Sequence, residues 1–126
     1  MYAQNAYNAY KNNSVNYASK EQLLLMLVDG AVKYAKIGRQ AILDKDIKKA
    51  HEYLVRTQDI FIELMATLDV NSAGDWGKNL RAIYEFINYK LVQANLKKDI
   101  NIIDEVLPVI EDVRDTWYKA YELSKR

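Results

Sequence analysis

Ser19-Lys20-Glu21-Gln22-Leu23-Leu24-Leu25-Met26-Leu27-Val28-Asp29-Gly30-Ala31 is the stretch whose reading decides the fold. A serine followed three residues later by glutamine is a capping box: the hydroxyl accepts from a free backbone N–H, and the amide reaches back to the serine. The spacing predicts a helix that opens after Ser19 and runs to about Leu43. Its six consecutive apolar residues, Leu23 to Val28, cover every side of a helical cylinder, so one bundle core is not expected to bury them all.

Working outward, apolar residues recur every three or four positions, and the 126 residues include only four glycines and one proline. That pattern predicts long helices with few breaks. A second helix is capped by Asp46 and carries the stripe Ile47, Ala50, Leu54, Phe61, Leu64 and Leu68. The intervening Asp44-Lys45-Asp46 is so short that the two helices are antiparallel neighbours. Asp69 to Gly77 has loop composition, with a third helix expected from about Asp75 and a stripe of Leu80, Ile83, Tyr84, Ile87, Leu91 and Ala94. After a turn at Asp99 to Asn101, a fourth helix presents Ile103, Val106, Leu107, Ile110, Val113, Trp117 and Ala120. Pro108 conflicts with it, because proline lacks the N–H donor and crowds the carbonyl four residues earlier, so this helix either starts late or kinks. The expectation is an all-α, antiparallel up-down-up-down four-helix bundle over 19–126, a single domain. Residues 1–18 form a short, mobile or partly helical tyrosine-rich tail.

Charge and composition exclude several functions. Eighteen basic against seventeen acidic residues leave a net charge of +1, without the positive excess that phosphate neutralisation requires, so no nucleic-acid partner is expected. The absence of cysteine removes disulfides, thiolate metal sites and cysteine nucleophiles. His51 is the sole histidine and lacks the Glu-x-x-His spacing of di-iron bundles. Asp104-Glu105 and Glu111-Asp112 point about 100° apart on a helix and read as helix start and solvated face rather than acid–base pairs. Gly30, Gly38, Gly74 and Gly77 fall in no phosphate-loop, dinucleotide or nucleophile-elbow spacing. No enzyme activity, metal or cofactor is expected. Neither a membrane span nor a secretion signal is legible, which predicts a cytoplasmic protein without direct membrane insertion.

What the residues do offer is apolar surface. Beyond its stripe, the second helix has Tyr53, Val55, Ile60, Ile62 and Met65, spread past one face, as expected of a groove for partner helices. The tail holds Tyr2, Tyr7, Tyr10 and Tyr17 among five asparagines, with Lys11 its only charge. Such a segment can fold back over apolar surface and be displaced by a partner.

The order and spacing of several segments resemble the flagellin-specific export chaperones of the FliS family. These are the tail tyrosines, Ala18-Ser19-Lys20-Glu21-Gln22-Leu23, Leu27-Val28-Asp29-Gly30-Ala31, Asn79-Leu80 with Tyr84, Leu91-Val92-Gln93-Ala94-Asn95, and Arg114 to Trp117. The chain departs from the family at Lys20, where proline is frequent, at Val28, where tyrosine is usual, and at Pro108. The resemblance implies a chaperone that binds the C-terminal segment of flagellin, prevents premature polymerisation, and delivers it to an export-gate component of the flagellar type III apparatus. On this reading the flagellin contacts are Val55, Ile62 and Met65, with Ile83, Ile87 and Leu91 as members that could equally be core. Tyr7 and Tyr10 would cap the groove or contact the export gate. The free protein would be a monomer or weak homodimer. The competing expectation is a homo-oligomeric helical scaffold whose apolar faces bury one another.

Overall fold

A computed structural model describes residues 19–125. Its four helices are α1 (Lys20–Leu43), α2 (Ile47–Thr67), α3 (Val70–Lys97) and α4 (Ile100–Ser124). The expected capping box is present: Ser19 Oγ accepts from the Gln22 N–H at 3.2 Å, and Gln22 Oε1 accepts from the Ser19 N–H at 2.8 Å. Asp46 caps α2 through the Lys49 N–H, and Asp99 caps α4 through the Asn101 N–H. At both tight turns a lysine, Lys45 or Lys98, takes a positive φ to reverse the chain.

Sequential helices pack side by side and α4 returns to α1, while the two diagonal pairs stay apart. The result is the antiparallel four-helix bundle. Helix α1 passes close to α2 at Gly38. A Cβ there would lie 3.0 Å from Leu54 Cδ2 and 3.5 Å from the Leu54 backbone nitrogen, so only hydrogen fits without displacement. The core is continuous, running through Leu27, Val28, Leu54, Phe61, Leu64, Tyr84, Ile87, Leu91, Ile103, Val106 and Ile110. Thr57 is wholly buried among them, its hydroxyl satisfied by the Tyr53 carbonyl at 2.7 Å.

Several expectations are corrected. In the apolar run of α1, Leu23, Leu25, Leu27 and Val28 are buried and Leu24 and Met26 are half-buried, because α1 lies between α2 and α4 and is covered from both sides. Little of that run is spare. Ile60 belongs to the core, whereas Ile47, expected in the core stripe, is exposed at the hairpin tip beyond the end of the core. The segment expected to be a loop from Asp69 to Gly77 is helical from Val70, broken only at Gly74, whose φ of 63° and ψ of −139° suit glycine alone. The break falls beside the expected start of this helix. Helix α4 does not start late: it runs from Ile100 to Ser124 with Pro108 inside it. Pro108 and Asp104 are both exposed, so water can satisfy the carbonyl that the missing N–H leaves free.

Candidate partner-binding surface

Helix α3 carries an inner apolar stripe and an outer, largely apolar row interrupted by Gln93. The inner one, Leu80, Tyr84, Ile87, Leu91 and Ala94, is buried in the bundle. Tyr84 anchors it: its ring lies 5.8 Å from that of Phe61, and its hydroxyl accepts from Trp117 Nε1 at 2.7 Å, joining α2, α3 and α4. Burial pushes the Tyr84 phenol up to about 12, against the smaller opposing effect of the Trp117 bond. The outer stripe is Ala82, Phe86, Tyr89, Gln93 and Leu96, with alternating spacings of four and three. Such spacing gives a seam along one side of a helix, the arrangement by which one helix receives another. Phe86 is 44% exposed, Tyr89 61% and Leu96 77%. The bundle core is complete without them.

The six groove residues expected from sequence do not form one surface. Ile87 and Leu91 are both 0% exposed and lie in the core, because their spacing from Tyr84 places them on the inner stripe. Met65 packs against the core and Val55 is half-buried, leaving Ile62 as the open member on α2. Ile83 is exposed but turns toward α4. There it lines an apolar cleft of about 240 Å³ with Trp76, Leu80, Val109 and Val113, bordered by Asn79, Asp112 and Thr116. Trp76 sits edge-on to Trp117 at 5.7 Å, so the cleft abuts the aromatic anchor. Tyr7 and Tyr10 lie outside the described residues. Phe86, Tyr89 and Leu96 were missed by the sequence reading, although the alternation of four and three from Ala82 to Leu96 was there to be counted.

Polar side chains tie neighbouring helices to one another. Arg39 pairs with Asp104 and Lys36 with Glu111 between α1 and α4, and Lys90 pairs with Glu105 between α3 and α4. The Arg39 guanidinium holds the Asp104 carboxyl below its ordinary range. Much of the acidity read on α4 thus faces cations of its neighbours. Tyr118 donates to Asp29, which raises its own phenol pKa. Between α2 and α3, Asn95 Nδ2 lies 3.0 Å from His51 Nδ1. Gln58 Oε1, Asp59 Oδ2, Asn88 Oδ1 and Asn95 Oδ1 are buried without hydrogen-bond partners. Partial burial raises the carboxyl pKa of Asp59 and of Glu63. Among the described residues no three potential metal ligands cluster, and no helix is long and apolar enough to cross a membrane.

The family profile described as "Flagellar protein FliS" matches residues 3–124. The chain belongs to the FliS family. Among its relatives, the flagellar secretion chaperone FliS of Bacillus subtilis is 36% identical over 126 residues, covering all of this chain and 93% of that protein. FliS of Campylobacter jejuni is 32% identical over 116 residues, covering 92% and 91%. A crystal structure of a bacterial flagellar chaperone superposes with a TM-score of 0.74 at 18% identity, covering 94% of this chain and 97% of that one, which supports the fold. The FliS relatives are named chaperones, not enzymes. Membership places the chain among the flagellar secretion chaperones, proteins of flagellum biogenesis and export.

Proposed function

We propose that this chain is a cytoplasmic export chaperone that binds the C-terminal segment of flagellin on the outer apolar surface of α3 and the adjoining cleft. It keeps that segment from polymerising and delivers it to an export-gate component of the flagellar secretion apparatus. The observation that carries this reading is the open seam of Phe86, Tyr89 and Leu96 on a bundle whose core is already filled. A flexible segment that folds on binding loses conformational entropy, which burial of about 1,000–3,000 Å² offsets in coupled reactions of this kind. A seam along the length of α3, with the Trp76–Ile83 cleft beside it and Ile62 on α2, supplies extended rather than local contact. The mechanism is binding alone: flagellin's helix-forming residues lay an apolar stripe on α3, and those surfaces are then withheld from other flagellin copies.

Titration calorimetry with a peptide spanning flagellin's C-terminal helical segment, at two temperatures, tests this. Saturable 1:1 binding with a large negative heat-capacity change is expected, and Phe86→Asp and Ile62→Asp weaken it by at least tenfold without loss of helical circular dichroism. Undiminished binding in both variants refutes the surface assignment. A stable dimer that ignores the peptide replaces the chaperone by the scaffold. For Tyr7 and Tyr10 two roles are separable by deleting residues 1–18: tighter peptide binding identifies a cap, and unchanged affinity with reduced export identifies a gate contact.

A further inference from the structure

Because successive helices alternate in direction, the α1–α2 and α3–α4 turns lie at the same end of the bundle, remote from residue 19. The His51–Asn95 contact at 3.0 Å ties the two hairpins together there, one turn below Ile47 and next to Leu96. Three aliphatic side chains stand open at this end: Leu43 at 49%, Ile47 at 56% and Leu96 at 77% exposure. Around them are Lys45, Lys48, Lys49, Lys97 and Lys98. Among the described residues none of these five lysines forms an ion pair. Three carboxylates stand among them, so the five lysines leave this end with an excess of two positive charges. Asp44 accepts from Gln40 Nε2 at 3.0 Å, Asp46 from the Lys49 N–H at 3.1 Å, and Asp99 from the Asn101 N–H at 2.8 Å. At the opposite end Lys20, Lys78, Lys119 and Lys125 are matched by Glu21, Asp69, Asp75 and Glu122.

We infer that the two-hairpin end of the bundle docks on the anionic lipid surface of a membrane. Lys98 Nζ donates to the Asn95 carbonyl at 2.6 Å, and the other four lysines extend without a carboxylate partner among the described residues. Aliphatic residues projecting from two separate turns, with lysines between them, call for a partner offering apolar depth and diffuse negative charge over one broad face. A bilayer interface with anionic headgroups has both. The lysines supply long-range attraction that salt weakens, and Leu43, Ile47 and, when no partner covers the α3 seam, Leu96 enter the headgroup layer without any helix spanning it. Docking by this end leaves residue 19 at the far end of the bundle, away from the lipid.

The test is cosedimentation of the full chain with phosphatidylcholine vesicles containing graded phosphatidylglycerol. The bound fraction is expected to rise with phosphatidylglycerol content and fall steeply with salt. Lys48→Ala and Lys97→Ala should each lower the partition coefficient roughly fivefold. Ile47→Asp should lower it further while leaving circular dichroism intact, because an acidic residue at a helix start is favourable. Absence of sedimentation at low salt, equal binding to pure phosphatidylcholine, or undiminished binding in the lysine variants overturns the inference. So does binding to immobilised polyglutamate without binding to vesicles, which assigns the end to an acidic protein partner.

Discussion

Leu91 and Leu96 share a helix and a side chain yet stand on opposite stripes of α3, which makes their truncation a direct test of how this surface is divided. Leu91 is wholly buried, so Leu91→Ala removes transfer energy and leaves a cavity that its neighbours only partly fill, about 2–5 kcal/mol in such sites. Unfolding gains about 2.1 cal/mol/K of entropy per residue, so in a domain of this size each kcal/mol is about 4 °C in Tm, and the expected fall is about 8–20 °C. Leu96 is 77% exposed. Truncating it forfeits little native burial and changes Tm by at most about 2 °C. The order reverses for flagellin peptide. Leu96→Ala is expected to weaken binding by about tenfold, whereas Leu91→Ala retains near-native affinity at temperatures where it is folded. Thermal unfolding by circular dichroism and titration calorimetry on the two variants decide the matter. Leu91→Ala with an unchanged Tm and lost binding would refute the separation of core from contact surface.

Two further outcomes follow from the packing. Gly38→Val should destabilise the bundle by about 1–3 kcal/mol, read as a lowered urea midpoint with unchanged slope, because its branched carbons must displace Leu54 where α1 passes α2. Tyr84 makes stability fall at alkaline pH. In the unfolded chain the phenol ionises near its ordinary value of about 10, and in the fold at about 12, so between those values the unfolded state holds fewer protons. Unfolding then becomes easier by up to about 1.4 kcal/mol per pH unit, a slope that urea titrations should find reduced in Tyr84→Phe. That variant is also weaker at neutral pH by about 1–3 kcal/mol, since the Trp117 N–H loses its acceptor.

The helices were legible wherever local chemistry decides them. Ser19 with Gln22 and Asp46 each satisfy backbone groups within three residues, and those caps stand where expected; Asp99 to Asn101 was expected as a turn, yet Asp99 caps α4 and the helix already runs from Ile100. The division of apolar residues into core and surface was less legible, since it depends on which sides neighbours cover. The Leu23–Val28 run looked surplus because a lone helix cannot hide six consecutive apolar residues. Flanked by α2 and α4, α1 buries most of them. Ile87 and Leu91 could not be assigned from their own stripe alone, because a helix with two largely apolar rows offers no internal sign of which one faces inward. The Trp117–Tyr84 bond spans 33 residues of chain and has no local signature at all.

Two stripes on one helix also constrain how a partner can be held. The inner stripe fixes α3 through Tyr84, whose hydroxyl and ring engage α4 and α2 at once, so the outer seam is presented on a backbone that need not be ordered when a partner arrives. The entropy lost on binding then falls mainly on the partner. The chaperone contributes pre-organisation, and the flexible segment contributes the heat-capacity change. The prediction for calorimetry is therefore asymmetric: destabilising α3 from within, as in Tyr84→Phe, should weaken peptide binding less than removing one exposed ring, as in Phe86→Asp, for as long as the bundle stays folded. Equal losses from both would mean that the seam is formed by the partner rather than displayed to it.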